Sequence, residues 1–224
     1  MSRPPILLVH GFASSFEHGW RRTGWADLLA DEGREIVGVD LPGHGRAGRS
    51  SDPADYRDVE GRVSAAIADH PVADAMGFSA GAVILLHLAT RTPGRFGRLV
   101  LMGVGDGVTR EQDASALVAA VEGAADPADV GARLFHRMAR SDGNDPPALA
   151  AFLRRRVGPL TEAQLRAVDR PVLFLIGDRD PAGAPEQLAA TMPRAQVRVL
   201  PGADHFSTLT DPRGMEAALK FLAG

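Results

Sequence analysis

The feature that most constrains the fold is a set of short apolar runs, at residues 6–9, 35–39, 99–102 and 172–176, each bounded by glycine, proline or aspartate and separated by segments of helical period. Runs that are hydrophobic on both faces suit strands buried between two layers of helices, so their alternation with helices predicts a doubly wound, mostly parallel sheet. Residues 72–76 form a fifth, less apolar run. Residues 196–200 alternate polar with apolar and read as the last strand, near an edge, which brings the sheet to about six strands. Helices are expected at 20–30, 58–69, 80–90, 185–191 and 212–222. The last is introduced by Asp211 as N-cap and Pro212 at the first helical position.

One stretch breaks the alternation. Between Gly103 and Val172 lie 68 residues without a strand signal, too many for a simple connection. Apolar residues spaced three to four apart, such as Val130, Leu134 and Met138, predict short helices at 111–122, 127–140, 146–156 and 161–168. The expectation is a helical lid, residues 105–168, inserted over the C-terminal edge of the sheet within a single domain, 1–224.

Composition narrows the chemistry. The chain has 224 residues, enough for a core without staples, and no cysteine. Disulfide scaffolds, thiolate metal sites and cysteine nucleophiles are thereby excluded. A net charge of −3 without a basic stripe argues against a nucleic-acid partner. The apolar runs at 6–9 and 82–86 fall far short of a membrane span or a signal-peptide core, so no membrane partner is expected and a cytoplasmic location follows. Composition leaves monomer and homo-oligomer equally open.

In open α/β sheets ligands bind outside the carboxyl ends of the strands. The residues there include Gly77-Phe78-Ser79-Ala80-Gly81, a G-x-S-x-G element between a predicted strand and a predicted helix. Such a turn projects the serine hydroxyl clear of the sheet, and the following helix start aims N–H groups at it. The plainer reading is a glycine-rich turn with a capping serine. A serine needs a base to become a nucleophile, and His205, in the loop after the last strand, is the candidate among seven histidines. Its orienting carboxylate follows the strand at 172–176. Asp180 is preferred because Pro181 enforces a tight loop. Asp178 is expected to bind local backbone, and Asp106 is a third possibility. The N–H groups of Ala80 and Phe12 are the expected oxyanion donors.

These residues resemble the α/β-hydrolase superfamily over nearly the whole chain. Ser79, Asp180 and His205 follow that family's nucleophile, acid, base order. His10-Gly11-Phe12 is similar to its oxyanion motif, and Asp40-Leu41-Pro42-Gly43-His44-Gly45 to the turn after its next strand. The chain departs from many members in opening at the first parallel strand, without an antiparallel hairpin before it. The resemblance implies a small-molecule ester as substrate, an acyl-enzyme on Ser79, and no metal or organic cofactor. Two alternatives keep the pocket and change its use. One is C–C hydrolysis or cofactor-free lyase chemistry on a carboxylated substrate recruited by Arg154-Arg155-Arg156, a run whose plainer reading is a solvated helix face. The other is a non-catalytic binding module.

Overall fold

The computed structural model describes residues 3–141 and 143–224. Six strands, β1 (Ile6–Val9), β2 (Ile36–Val39), β3 (Ala73–Phe78), β4 (Phe96–Met102), β5 (Val172–Gly177) and β6 (Ala195–Leu200), form one sheet in the order β2-β1-β3-β4-β5-β6. Every adjacent pair is parallel. This is the doubly wound architecture that the apolar runs predict, in the arrangement of the α/β-hydrolase fold. The chain first moves outward from β1 to β2, then returns to β3 on the other side of β1. The switch point therefore falls between β1 and β3, where a crevice opens at the carboxyl ends.

β1 shows how the layers arise. All four of its residues are fully buried, and successive side chains point to opposite faces. Leu7 and Val9 join one core cluster with Ala75, Leu99, Leu101 and Phe174. Ile6 and Leu8 join the other with Met76, Val100 and Met102. Each such side chain contributes roughly 1.5–3 kcal/mol on burial. The first cluster is covered by α2 (Val59–Ala65), α3 (Ala80–Arg91) and α8 (Glu186–Thr191). The second is covered by α1 (Trp25–Asp31) and α9 (Pro212–Ala223). β6 lies at the edge and leaves Val199 exposed.

Between β4 and β5 stand four helices, α4 (Ser115–Glu122), α5 (Val130–Met138), α6 (Pro146–Leu153) and α7 (Glu162–Arg166). The starts of α5, α6 and α7 are set by side-chain caps. Asp129 accepts from Ala132 N at 3.0 Å, and Thr161 forms a capping box with Gln164. All four are shorter than the sequence periodicity predicts. α4 begins at Ser115, because the Asp113 carboxylate takes the Ser115 N–H and holds the preceding residues out of the helix. α6 stops at Leu153 with Arg154 as its C-cap, short of Gly158-Pro159. Likewise the helix expected at 20–30 is divided. A π-turn spans Glu17–Arg21, and α1 starts only after Gly24, whose φ of 84° breaks the helical path. α2 runs out at Ala65 into three successive i→i+3 turns. Among the described residues no helix is long and apolar enough to cross a membrane.

Candidate active site

Ser79 occupies the turn from β3 into α3 with φ 52° and ψ −116°, one of two non-glycine residues at positive φ among those described. A side chain rarely tolerates that conformation, which costs on the order of 1–3 kcal/mol. The neighbours hold it there. Ser79 N donates to the Met102 carbonyl at 2.8 Å, and Val83 N donates to the Ser79 carbonyl at 3.0 Å. The flanking glycines let the turn close. A Cβ on Gly77 would lie 2.7 Å from Ala82 N, and one on Gly81 would lie 2.2 Å from the Val9 carbonyl oxygen. Both glycines of the motif are therefore required by backbone contact, and the serine is carried at the switch point.

His205 reaches Ser79 from the loop after β6. Its Nε2 lies 3.0 Å from Ser79 Oγ, and its Nδ1 lies 3.0 and 2.9 Å from the two carboxylate oxygens of Asp180. An ionised carboxylate only accepts, so the Nδ1 facing it carries the proton and Nε2 remains the acceptor for the serine hydroxyl. The Asp180 carboxylate is wholly buried, whereas the His205 ring keeps 19% of its surface exposed. The Phe78 ring lies 5.0 Å from the imidazole. Gly103, at φ 65°, leaves room for it, since a Cβ there would fall 3.0 Å from His205 Cε1.

The three candidate aspartates divide by partner. Asp180 accepts from His205 and from Ala182 N at 2.9 Å. Asp178 accepts from Gly202 N at 2.8 Å and fastens the β6 loop. Asp106 accepts from Gln187 N and Leu188 N at the start of α8. Neither Phe12 N nor Ala80 N donates to an acceptor among the described residues, and both residues line the cavity that holds Ser79 and His205. The loop bearing Phe12 is fixed from outside by Asn144, whose Nδ2 donates to the Ala13 carbonyl at 2.9 Å.

Two other histidines serve this wall without entering the cavity. His10, fully buried, donates from Nδ1 to the Gly11 carbonyl at 2.7 Å and accepts from Leu41 N at 3.0 Å. Burial lowers its pKa to about 4, against the opposing pull of the Gly11 carbonyl and Asp40. His44 lies edge-on to Phe152 at 4.8 Å, and burial, with His10 and Arg155 nearby, lowers its pKa to about 3.

The cavity has a volume of about 760 Å³. Val83 and His87 line it from α3, and Phe152 and Arg155 line it from α6 and the turn that follows. Between β4 and β5, Val108, Leu117, Leu153 and Val157 also line the cavity, whereas Val121, Phe135 and Met138 pack with the core. Phe206 is 42% exposed. Among the seven histidines the sequence singles out only His205, yet His87 also lines this cavity. The missed signal is spacing: Val83 and His87 follow Ser79 at successive intervals of four and share its helix face.

The sequence model of the Alpha/beta hydrolase family matches residues 6–218. The chain is 30% identical over 220 residues to a dihydrolipoyllysine-residue acetyltransferase component of an acetoin cleaving system from Pseudomonas putida. That match covers 90% of this chain but 58% of the relative, so the chain spans little more than half of that protein. It is 28% identical to a pimeloyl-[acyl-carrier protein] methyl ester esterase from Nitrosomonas europaea, covering 93% of this chain and 91% of that one. Among solved structures, an esterase from Rhodococcus sp. ECU1013 is 26% identical with a TM-score of 0.71, covering 99% and 91% of the two chains. Its sheet, its switch-point crevice and the family match across residues 6–218 agree, and this chain belongs to the alpha/beta hydrolase family.

Proposed function

We propose that this protein is a serine hydrolase that cleaves a carboxylic ester of a small molecule through an acyl-enzyme on Ser79. The observation that carries this reading is the unbroken hydrogen-bonded path from Ser79 Oγ through the His205 imidazole to the buried Asp180 carboxylate. His205 Nε2 takes the hydroxyl proton as Oγ attacks the ester carbonyl, and Asp180 balances the charge that the imidazole acquires. The Phe12 and Ala80 N–H groups receive the oxyanion. Collapse of the tetrahedral intermediate breaks the bond to the alkoxy group, which leaves as an alcohol with the proton from Nε2. A water molecule, deprotonated by the same nitrogen, then attacks the acyl-enzyme, releases the carboxylic acid and restores Ser79. Residues 105–168 act as the lid that separates this chemistry from bulk water. The esterase names of two of the similar proteins support the same reaction class.

The test is covalent labelling by a fluorophosphonate probe alongside turnover of p-nitrophenyl esters. The wild-type protein is expected to label and to hydrolyse, and Ser79→Ala to do neither while retaining its circular dichroism spectrum. A wild-type protein that binds esters without labelling or turnover is a binding module, and this reading then fails.

A further inference from the structure

His87 is 7% exposed, and neither ring nitrogen has a hydrogen-bond partner among the described residues, yet it lines the cavity that contains Ser79. Its ring nitrogens are not among the sealed polar atoms that lack a partner, so they open into the cavity and are free to meet a ligand there. Arg155 lines the same cavity. Its guanidinium carbon stacks 3.6 Å from the centre of the Phe152 ring. Only Nη1 makes a hydrogen bond among the described residues, to the Phe152 carbonyl at 2.7 Å, and Nε is buried with none. The buried Glu60 faces both groups from α2 but makes no ion pair with Arg155 at or within 4.0 Å. A rigid fork with unused donors, held on an aromatic face with Glu60 near it but not paired to it, matches the geometry of a carboxylate.

We propose that Arg155 and His87 form a carboxylate-binding subsite at the far end of the cavity from Ser79, so that the preferred substrates are monoesters of dicarboxylic acids. The inference rests on Ser79 being the nucleophile. The helix sets the spacing. His87 lies eight residues beyond Ser79 on α3, about 12 Å along the axis, so the second carboxylate sits several methylenes from the scissile ester. Val83, between them on the same wall, offers an apolar flank to those methylenes. Burial lowers the pKa of His87, which leaves a neutral imidazole with one N–H to donate. Burial also pulls Arg155 down to about 10, so its guanidinium stays charged at neutral pH. Arg155 lines both this cavity and an adjoining outer cleft, whereas Arg156, next in the chain, lines only the outer cleft.

The experiment compares kcat/KM for p-nitrophenyl monoesters of straight-chain dicarboxylic acids, adipate through azelate, with p-nitrophenyl esters of monocarboxylic acids of matched length. Fluorophosphonate labelling of every variant accompanies it. The wild-type protein is expected to favour the carboxylated series at one chain length. Arg155→Met is expected to lower that preference by roughly tenfold to a hundredfold, chiefly through KM. Arg155→Lys keeps the charge without the fork and should retain part of the preference, and Arg156→Met should retain all of it. A labelled wild-type enzyme that hydrolyses neutral esters at least as well as carboxylated ones overturns the subsite and leaves the serine-hydrolase reading standing. An equal loss of preference in Arg156→Met also overturns it, because the outer cleft would then be the source. A wild-type protein that neither labels nor turns over any ester overturns the underlying reading, and the subsite with it.

Discussion

Gly81 and Val9 meet so closely that a Cβ on the glycine would fall 2.2 Å from the Val9 carbonyl oxygen, with the His10 carbonyl oxygen at 2.6 Å. The first turn of α3 thus lies against the end of β1, and this contact brings the Ser79 turn beside the loop that carries Phe12. The obstacle is backbone, which cannot swing aside as a flexible side chain would. Gly81→Ala is expected to lower unfolding stability by about 3 kcal/mol, read from the urea midpoint at constant m. A loss below 1 kcal/mol would mean that helix and strand separate easily and that the contact does not define the turn.

The strain at Ser79 has a sign that activity measurements miss. Glycine adopts positive φ without a Cβ penalty, so Ser79→Gly is expected to raise stability by about 1 kcal/mol, measured by thermal unfolding, although it removes the nucleophile. Ser79→Ala keeps a Cβ and should gain little. If glycine and alanine are equally stable at this position, the backbone there is not strained.

Asp180 and Asp178 offer a matched comparison. Asp180→Asn replaces a carboxylate that only accepts with an amide that can also donate, which permits the wrong imidazole tautomer. The turnover of p-nitrophenyl esters is expected to fall roughly 10³–10⁴-fold with the fold intact. Asp178→Asn, which weakens a bond to Gly202 N, should change kcat/KM less than fivefold. Comparable losses in the two variants would remove Asp180 from the role of orienting His205.

Much of this was legible in the sequence, for reasons that lie in particular residues. Strands buried on both faces must be apolar throughout, so the run at 6–9 reads directly as β1, and the alternation at 196–200 reads as the edge strand β6. Asp180 was separable from Asp178 because Pro181 forces a tight turn, and its geometry depends on few residues. Helix ends were less legible. The early start expected for α1 fails at Gly24, where one left-handed residue overrides the apolar period, and that of α4 fails at Asp113, whose carboxylate captures Ser115 N. The meeting of His87 with Arg155 was less legible: the arginine run at 154–156 stands out in the sequence, but only the fold brings Arg155, and not Arg156, to the cavity that His87 lines.

Acid sensitivity follows from His10 and His44. Each titrates near 6.5 when unfolded and at about 4 or about 3 in the folded protein, so above pH 6.5 both states bind the same protons. Between 6.5 and the folded values the unfolded chain binds more, and stability falls as pH drops. The loss between pH 6.5 and 5 is about 1.5 kcal/mol for each histidine. Urea unfolding at the two pH values is expected to show it, and His44→Phe should reduce the difference by about half. A stability that is flat across this range would require both imidazoles to be protonated in the folded state.

At the opposite end of the sheet, Arg34 and Asp74 form a buried ion pair at 2.6 Å, with side-chain exposures of 2% and 6%. Each partner also binds backbone. Arg34 donates to the Pro4 carbonyl, and Asp74 accepts from Arg98 N at 2.7 Å. Removing one charge strands the other away from water, so Asp74→Leu and Arg34→Met should each cost about 3–5 kcal/mol. The double variant leaves no orphaned charge, and its loss should be well below the sum of the two, giving a coupling of 2 kcal/mol or more in the direction of rescue. Additive losses in chemical denaturation would mean that water reaches the pair and that its burial contributes nothing specific. Because the pair ties the N-terminal ends of β1 and β3 while Ser79 stands at the opposite end, the single variants should lower the unfolding midpoint without altering kcat at temperatures where they remain folded.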